Sequence, residues 1–445
     1  MRETTQEILL PLLLIILISI FCLLRKILKK METPALNVLK RLQEYGFEAY
    51  FVGGCVRDML LHRPIKDFDI ATSAKTEQII QLFPKTIPVG IQFGVVRVFF
   101  QGMEIEVATF REDGQYLDGR HPISVQFSHA KADVLRRDFT INGLLYNPFQ
   151  QELIDYVNGQ NDLQQKIIRT IGDPEKRFSE DKLRLLRAIR FACQLQFEIE
   201  PQTWTTLRQM APHIIQVSRE RIMEELSKIF SNKPPLRGIQ LLRKSGLLFV
   251  ILATNCPSSE ALEASEKMIE NLSTPSLENV LACLLYSFNN EEINSPSLKN
   301  SALQKKHLFQ ILNHLKFKHE ICYQIAFLVY IQPILEQLST KNLATFKRLA
   351  REPFFLNSLE IYRARLIEQG TPLDSYEWLF QRFHRYKQIL NDPLYLKGQD
   401  LIQLGFTPGP EFHKILFALE EEQLNETIHN RTEAIEWLSK RCYSK

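Results

Sequence analysis

At 445 residues the chain is long enough for two to four domains with cores of their own, and 45% hydrophobic with 24% charged residues is ordinary for a soluble globular protein. Residues 1–30 carry five basic and two acidic side chains and account for +3 of the formal net charge of +4, which excludes a globally basic body; contact with nucleic acid must come from local clusters. Seven scattered cysteines, with no CxxC pair and no histidine spacing suited to zinc, read as reduced thiols in a cytoplasmic setting.

In chain order, the first element is the apolar run Ile8 to Leu24, followed by Arg25, Lys26, Lys29 and Lys30. Its 17 residues meet the short limit for a spanning helix, and the basic cluster would hold the bulk of the protein on the cytoplasmic side. No small-x-small cleavage site follows, so a cleaved signal peptide fits poorly. Residues 1–30 thus read either as a membrane anchor through 8–24 or as a segment upstream of a true start at Met31. An amphipathic helix, PALNVLKRLQEYG, begins just after Met31.

Residues 50–71, YFVGGCVRDMLLHRPIKDFDIA, hold the strongest chemical signal. Gly53 and Gly54 follow the apolar run Tyr50 to Val52 and precede a helix-like Val56 to Leu61, where backbone N–H groups can bind phosphate. Asp67 and Asp69 are two residues apart, so in a strand both carboxylates leave one face while Phe68 and Ile70 leave the other. Carboxylates held side by side repel, and a divalent cation between them relieves it. Mg²⁺ suits such oxygens, taking one or two carboxylates plus substrate phosphates. Phosphate cradle and metal ligands in one strand–helix–strand unit point to phosphoryl or nucleotidyl transfer; a solvated turn is the plainer reading of Asp-x-Asp by itself.

Thr76 to Phe83 reads as a short helix. Phe93 to Phe100 and Met103 to Phe110 read as strands joined at Gln101-Gly102. Glu104 and Glu106 share a face of the second strand, and one of them could complete a carboxylate triad. Residues 111–122, REDGQYLDGRHP, read as a long mobile loop. In DVLRRDFTINGLLY, 133–146, Arg136, Arg137, Asp138 and Asn142 surround a helix-like run, where the arginines could hold a triphosphate or pair structurally.

From about residue 160 the pattern is helical throughout, with Phe178 to Leu195, Arg219 to Phe230 and Leu303 to Leu315 the clearest stretches. Polar breaks fall near 254–259 and 288–300. On a helix through RFSEDKLRLLRAIRFA, Asp181 and Arg184 are one turn apart and share a face, and Arg187 and Arg190 extend a basic ridge. That ridge is either a solvated charge stripe or a base reader. An Asp accepts from an exocyclic amine while an Arg donates to ring acceptors, a pattern that admits C and A and rejects U and G. Such a site rejects mismatches strongly, because its polar groups would be left unpaired.

The ordered set VGGCVRD…DFDIA, FGVVRV, EVATFREDGQYLDGRHP, DVLRRDFTINGLLY, RFSEDKLRLLRAIRFA and SRERIMEEL resembles the class II tRNA nucleotidyltransferase/poly(A) polymerase family. The resemblance runs from about residue 38 to 230. It resumes at LKGQDLIQLGFTPGPEFHKIL, which is similar to the tail of bacterial CCA-adding enzymes, and leaves much of 240–380 unmatched. It implies an α/β polymerase-β-like head with a mixed sheet, then an all-α neck, body and tail. The expected bounds are 31–157 for the head, 158–230 for a neck with the base-selecting helix, 231–370 for the body and 371–445 for a tRNA-binding tail. It also implies that Asp67 and Asp69 bind the catalytic Mg²⁺, with Glu106 as third carboxylate. Gly53, Gly54 and Arg57 then match the triphosphate-binding turn; Arg136, Arg137, Asp138 and Asn142 match the nucleotide-binding segment; Asp181 and Arg184, with Arg187 beside them, match the base-reading helix. His62 departs from the pattern, standing where the family commonly has Gly.

Within the family, GIQFGVVRV and the acidic tail ALEEEQLNET side with CCA addition, and the intact 110–122 loop disfavours an enzyme that adds cytidines only. The expected reaction is template-independent transfer of C, C and A from CTP and ATP to the 3′ end of tRNA, held by its acceptor arm, with release of pyrophosphate. The alternatives are a poly(A) polymerase or A-adding enzyme of the same family and, from another class, a non-catalytic membrane-tethered RNA-binding protein.

Overall fold

The computed structural model describes residues 34–89, 94–114, 125–253, 258–293, 301–338 and 343–442. The apolar run 8–24 and Phe93 lie outside them, as does 115–124, which holds most of the expected loop. No helix among the described residues is long and apolar enough to cross a membrane. The chain divides into two compact units, one running to Ile222 together with Ser245–Leu247, the other comprising Met223–Lys244 and Leu248 onward.

The first unit opens with α1 (Pro34–Glu44), whose Ala35, Val38, Leu39 and Leu42 are buried at helical spacing. There follow β1 (Ala49–Val52), α2 (Gly54–Leu60), β2 (Asp69–Thr72), α3 (Thr76–Leu82), β3 (Thr86–Pro88), β4 (Val95–Phe100) and β5 (Met103–Thr109). Next come β6 (Arg111–Asp113), β7 (Val125–Phe127), α4 (Ala130–Leu135), a 3₁₀ turn at Thr140–Asn142, β8 (Leu144–Asn147) and β9 (Glu152–Asp155). Seven strands form one mixed sheet in the order β3-β4-β5-β2-β1-β8-β9. Only β2 and β5 within it run parallel. β5 alternates as a half-buried strand should, with Ile105, Val107 and Thr109 inward and Glu104 and Glu106 outward. The β4–β5 hairpin turns at Gln101 and Gly102, both with positive φ (49° and 82°), the conformation that matches the twist of two strands joined by a two-residue loop.

The sheet is followed by α5 (Gly159–Gln165), β10 (Ile167–Ile168), α6 (Pro174–Glu180), α7 (Leu183–Leu195), β11 (Glu198–Ile199), α8 (Pro201–Met210) and α9 (Arg219–Phe230). The short parallel pair β10–β11 interrupts a region expected to be helical throughout. Residues 111–113, expected as loop, are a strand paired to β7. The 133–146 run is not one helix: it holds the end of α4, the 3₁₀ turn and the start of β8.

The second unit is helical in all its described elements. The helix Leu277–Ile293 runs through the first part of the expected 288–300 break. The helix Asp374–Tyr386 packs Leu379 and Phe383 into a core with Phe346, Phe355, Leu359 and Tyr362. A separate core joins Leu396, Leu401, Leu419, Ile428, Ala434 and Leu438.

Candidate active site

A cavity of about 450 Å³ opens in the first unit, lined by Gly53, Gly54, Arg57, Asp69, Arg136, Arg137, Asp138, Asn142, Asp181, Leu183, Arg184, Arg187, Arg190, Phe191 and Arg221. Arginines outnumber carboxylates in that wall, so the cavity suits a polyanion.

Gly53 sets one wall. Its φ of 76° with ψ of −131° is a conformation that L side chains rarely adopt, which lets β1 turn sharply into α2. A Cβ there would lie 3.5 Å from Arg137 Nη1 and 3.7 Å from Asp69 Oδ2. The sheet's acidic edge and the arginine segment therefore meet at this turn. Cys55, next to it, is buried; burial pushes its thiol up to about 12, so it serves packing rather than nucleophilic chemistry.

Asp69 begins β2 and stands directly across from Glu106 on β5. Asp67 lies just before the strand and is exposed, while Phe68 and Ile70 are buried, as the alternation requires. Burial pushes the Asp69 carboxyl up to about 6; Glu106 adds to this, Arg137 opposes it and Asp67 contributes the same way as Glu106. Asp67 and Glu106 are near enough to act on Asp69 but do not line the cavity itself. Among the described residues no three carboxylate, thiol or imidazole groups close a metal cage by themselves. A crowded hard-oxygen set that raises the affinity of one member for a proton is nevertheless suited to Mg²⁺, which is held by few carboxylates and completes its shell with phosphate and water. The residues present fit such a cation.

The arginine segment is held by buried acids. Asp133 on α4 is fully buried and bonds Arg136 at 2.6 Å and Arg137 at 2.9 Å. Burial opposes ionisation of Asp133 most strongly, yet the two guanidinium groups keep its carboxyl below the usual range. Asp138 does not pair with its neighbouring arginines. Its Oδ2 accepts from Arg187 Nε and Nη2 at 2.9 and 2.5 Å, and its Oδ1 accepts from Phe139 N and Asn142 Nδ2 at 2.8 and 3.1 Å. Against the cost of burial, Arg187 and Asn142 hold that carboxyl well below the carboxylate range. The Asn142 side-chain Oδ1 in turn accepts from Arg57 Nη1 at 2.8 Å. One relay thus links Arg57, Asn142, Asp138 and Arg187 across the cavity floor.

The expected helix over 178–195 is two helices. Asp181 is extended (φ −144°, ψ 104°) between α6 and α7, because its Oδ1 accepts from Leu183 N at 3.0 Å and so starts α7. Asp181 and Arg184 are not paired with each other. Asp181 Oδ2 accepts from Arg221 at 2.8 Å, and Arg184 donates to Glu180 at 2.8 Å and to the carbonyls of Arg177 and Arg136 at 2.8 and 3.1 Å. Both still line one cavity.

Three lining residues carry a role that the motifs alone did not assign. Phe191, buried on α7, lies beneath the guanidinium groups of Arg190, Arg57 and Arg187 at 4.2, 5.2 and 5.4 Å from its ring centre. In the sequence Arg190 stands out only as part of a basic ridge, and Arg221 only within the motif SRERIMEEL. The available signal was an aromatic four residues after Arg187, on the same helical face.

Residues 49–169 match the model of the "Poly A polymerase head domain", 196–257 that of the "Probable RNA and SrmB- binding site of polymerase A", and 297–438 that of "tRNA nucleotidyltransferase domain 2". The chain is 34% identical over 405 residues to the CCA-adding enzyme of Lactobacillus delbrueckii subsp. bulgaricus, covering 91% of this chain and 96% of that protein. The chain belongs to the CCA-adding enzyme family. It is accordingly a nucleotidyltransferase of tRNA processing. The CCA-adding enzyme of Geobacillus stearothermophilus is 44% identical over 214 residues, 48% of this chain and 53% of that one. The Bacillus stearothermophilus CCA-adding enzyme solved with CTP superposes with a TM-score of 0.74 at 30% identity, covering 92% and 97% of the two chains. These matches extend the likeness across 240–380, where the sequence motifs themselves are silent. In this chain His62 has a φ of 54°, which accounts for a preference for Gly at that turn.

Proposed function

We propose that this chain adds C, C and A to the 3′ end of tRNA from CTP and ATP, with head, neck, body and tail at 31–157, 158–230, 231–370 and 371–445. The observation that carries the reading is that Asp69, the arginine segment and the Asp181–Arg184 wall share one cavity. Asp67 and Asp69 would hold Mg²⁺, with Glu106 beside them. Bound there, the ion supplies activation of the attacking hydroxyl and neutralisation of the leaving oxygens.

The chain's own residues then do three things. Gly53 and Gly54 let the backbone approach the triphosphate closely, and Arg57, Arg136 and Arg137 neutralise it while Asp133 fixes two of them in place. The 3′-hydroxyl attacks the α-phosphate and pyrophosphate leaves toward that arginine wall, so positioning and electrostatics supply most of the catalysis. Asp138 and Asn142 keep Arg187 and Arg57 aligned along the floor.

Base choice falls to Asp181 and Arg184. Each carboxylate oxygen has two acceptor sites, and Asp181 uses one of each for Leu183 and Arg221, so an exocyclic amine can still be accepted. Arg184 has five N–H groups, of which three are engaged by described residues. The others can donate to ring acceptors of C or A. U and G present a carbonyl where the amine is required, which sets oxygen against carboxylate.

Incubating the protein with a tRNA transcript lacking its 3′ CCA and each labelled NTP tests this. Addition of C, C and A that then stops supports the reading. A long A tail, or A added only after an existing CC, replaces it with the poly(A) polymerase or A-adding alternative, and no transfer refutes it.

A further inference from the structure

α4 is only six residues long, and it carries the clamp of the arginine wall. Asp133 sits in its first turn, and Arg136 and Arg137, which Asp133 binds, follow its last residue. A helix this short has few internal bonds, so the partners of its first N–H groups decide whether it holds. His129 supplies two of them. Its backbone is extended (φ −112°, ψ 167°), its carbonyl accepts from Asp133 N at 3.2 Å, and its ring Nδ1 accepts from Ala132 N at 3.2 Å. The residue before it is pinned to the sheet, with Ser128 N donating to the Phe110 carbonyl at 3.0 Å. A backbone N–H can only donate, so Nδ1 is the acceptor and the neutral ring carries its proton on Nε2. Imidazole is the side chain that ordinarily changes charge between pH 5 and 8. A second ring proton takes the Nδ1 lone pair, sets N–H against N–H, and puts a cation at the helix end where the backbone dipole disfavours one.

We propose that His129 is a pH-sensitive positioning residue for the nucleotide site. Its neutral ring caps α4 and so keeps the Asp133 clamp on Arg136 and Arg137; its protonation loosens the clamp and weakens nucleotide binding. The proposal rests on the reading above of Arg136 and Arg137 as triphosphate ligands. Asp133 is not open to an imidazolium, being fully buried with its oxygens taken by Arg136, Arg137 and Arg111 N. On β6, which packs against α4, the charged groups are Arg111 and Asp113, paired at 3.0 Å, and the exposed Glu112. On α4 itself Lys131 is exposed. Toward the sheet, Ala130 and Val134 pack on Val52, Phe110 and Tyr50, and burial holds the Tyr50 hydroxyl protonated. Carboxylate, guanidinium and ammonium groups ordinarily keep their charge from pH 5.5 to 8. The imidazole is therefore the group at this helix that changes.

The test compares the full chain with His129→Asn, whose acceptor oxygen does not titrate, and with His129→Ala, which has no acceptor. It measures kcat and KM for CTP from pH 5.5 to 8, together with the amide-exchange protection of Ala132 and Asp133. At pH 8 the wild type and His129→Asn should share one KM, with His129→Ala roughly fivefold higher, the equivalent of one typical cap. At pH 5.5 the wild type should approach His129→Ala, while His129→Asn keeps its advantage. Values of kcat should stay alike in the three proteins, because the clamp acts on the bound triphosphate in ground state and transition state equally. Proton uptake by Asp69 and by CTP is common to all three and cancels in these ratios. A ratio of wild type to His129→Asn that is the same at pH 8 and 5.5 overturns the proposal. So does a wild-type KM in His129→Ala at every pH, or protection at Ala132 that follows the ring while KM does not. Failure of the wild type to bind CTP at any pH refutes instead the function proposed above, and the protection of Ala132 then still tests the cap.

Discussion

Replacing Asp138 by Asn removes one charge from the cavity floor and changes almost no volume. Asp138 is 8% exposed, and all four of its described bonds depend on acceptor oxygens. Asn keeps one acceptor and presents an NH₂ either to Arg187 or to the Phe139 N–H, donor against donor. Breaking a buried pair costs about 3–5 kcal/mol, but the Arg187 side chain is 33% exposed and can recover water. A loss of about 2–3 kcal/mol is therefore expected, toward the lower end for two charge-assisted bonds. Of the tryptophans, Trp204 alone is in the first unit, so its fluorescence in a Trp378→Phe/Trp437→Phe background reports that unit. With a urea m-value of about 2 kcal/mol/M, the midpoint should fall by about 1–1.5 M. The folded state holds Asp138 below its unfolded value of about 3.9. Its contribution is thus complete above about pH 5 and is lost as pH falls toward the folded value. The gap between wild type and variant should be flat from about pH 5 to 8 and close below about pH 4. A midpoint shift under about 0.3 M, or a gap that persists unchanged in acid, refutes the assignment of the charge pair as the source.

Asp69→Asn should abolish nucleotide transfer while leaving the metal-free protein as stable as the wild type or more so, because burial and Glu106 disfavour the ionised carboxyl in the folded state; a melting temperature several degrees lower contradicts this. Asp181→Ala should relax discrimination against UTP and GTP more than it slows CTP transfer, and should cost about 1 kcal/mol through loss of the cap on α7. Unchanged base discrimination rules out the base-reading role. Phe191→Leu should raise KM for CTP about tenfold, since each of the three ring–guanidinium contacts is worth roughly 0.5–1 kcal/mol, whereas a wild-type KM makes the ring mere packing.

Much of the head was legible because its signals are local. The β4–β5 hairpin, α1 and α3 follow from alternation, periodicity and turn residues, as does α9 beyond the head; the residues alone leave Glu104 and Glu106 open as the third carboxylate, the resemblance selects Glu106, and strand pairing sets it opposite Asp69. The break at Asp181 was not legible from periodicity, because apolar spacing continues across it; what ends α6 is one carboxylate bonding the backbone two residues on. The partners of the arginines were likewise hidden. Adjacent residues in Arg136-Arg137-Asp138 suggest mutual pairing, yet Asp138 bonds Arg187, 49 residues away, and the two arginines turn back to Asp133. Charge composition says that such groups need partners, but only tertiary packing chooses them.

Arg184, Arg187 and Arg190 are carried by a single uninterrupted helix whose other face is core. Three residues fall short of a 3.6-residue turn, so each arginine is set about 60° around and about 4.5 Å along from the last. Lengthening α7 by one residue after Leu186 would swing Arg187 and Arg190 by about 100° together while Arg184 stayed put. Exchanging one side chain in this wall leaves the spacing of the others intact, whereas a single inserted or deleted residue within α7 re-aims every arginine beyond it.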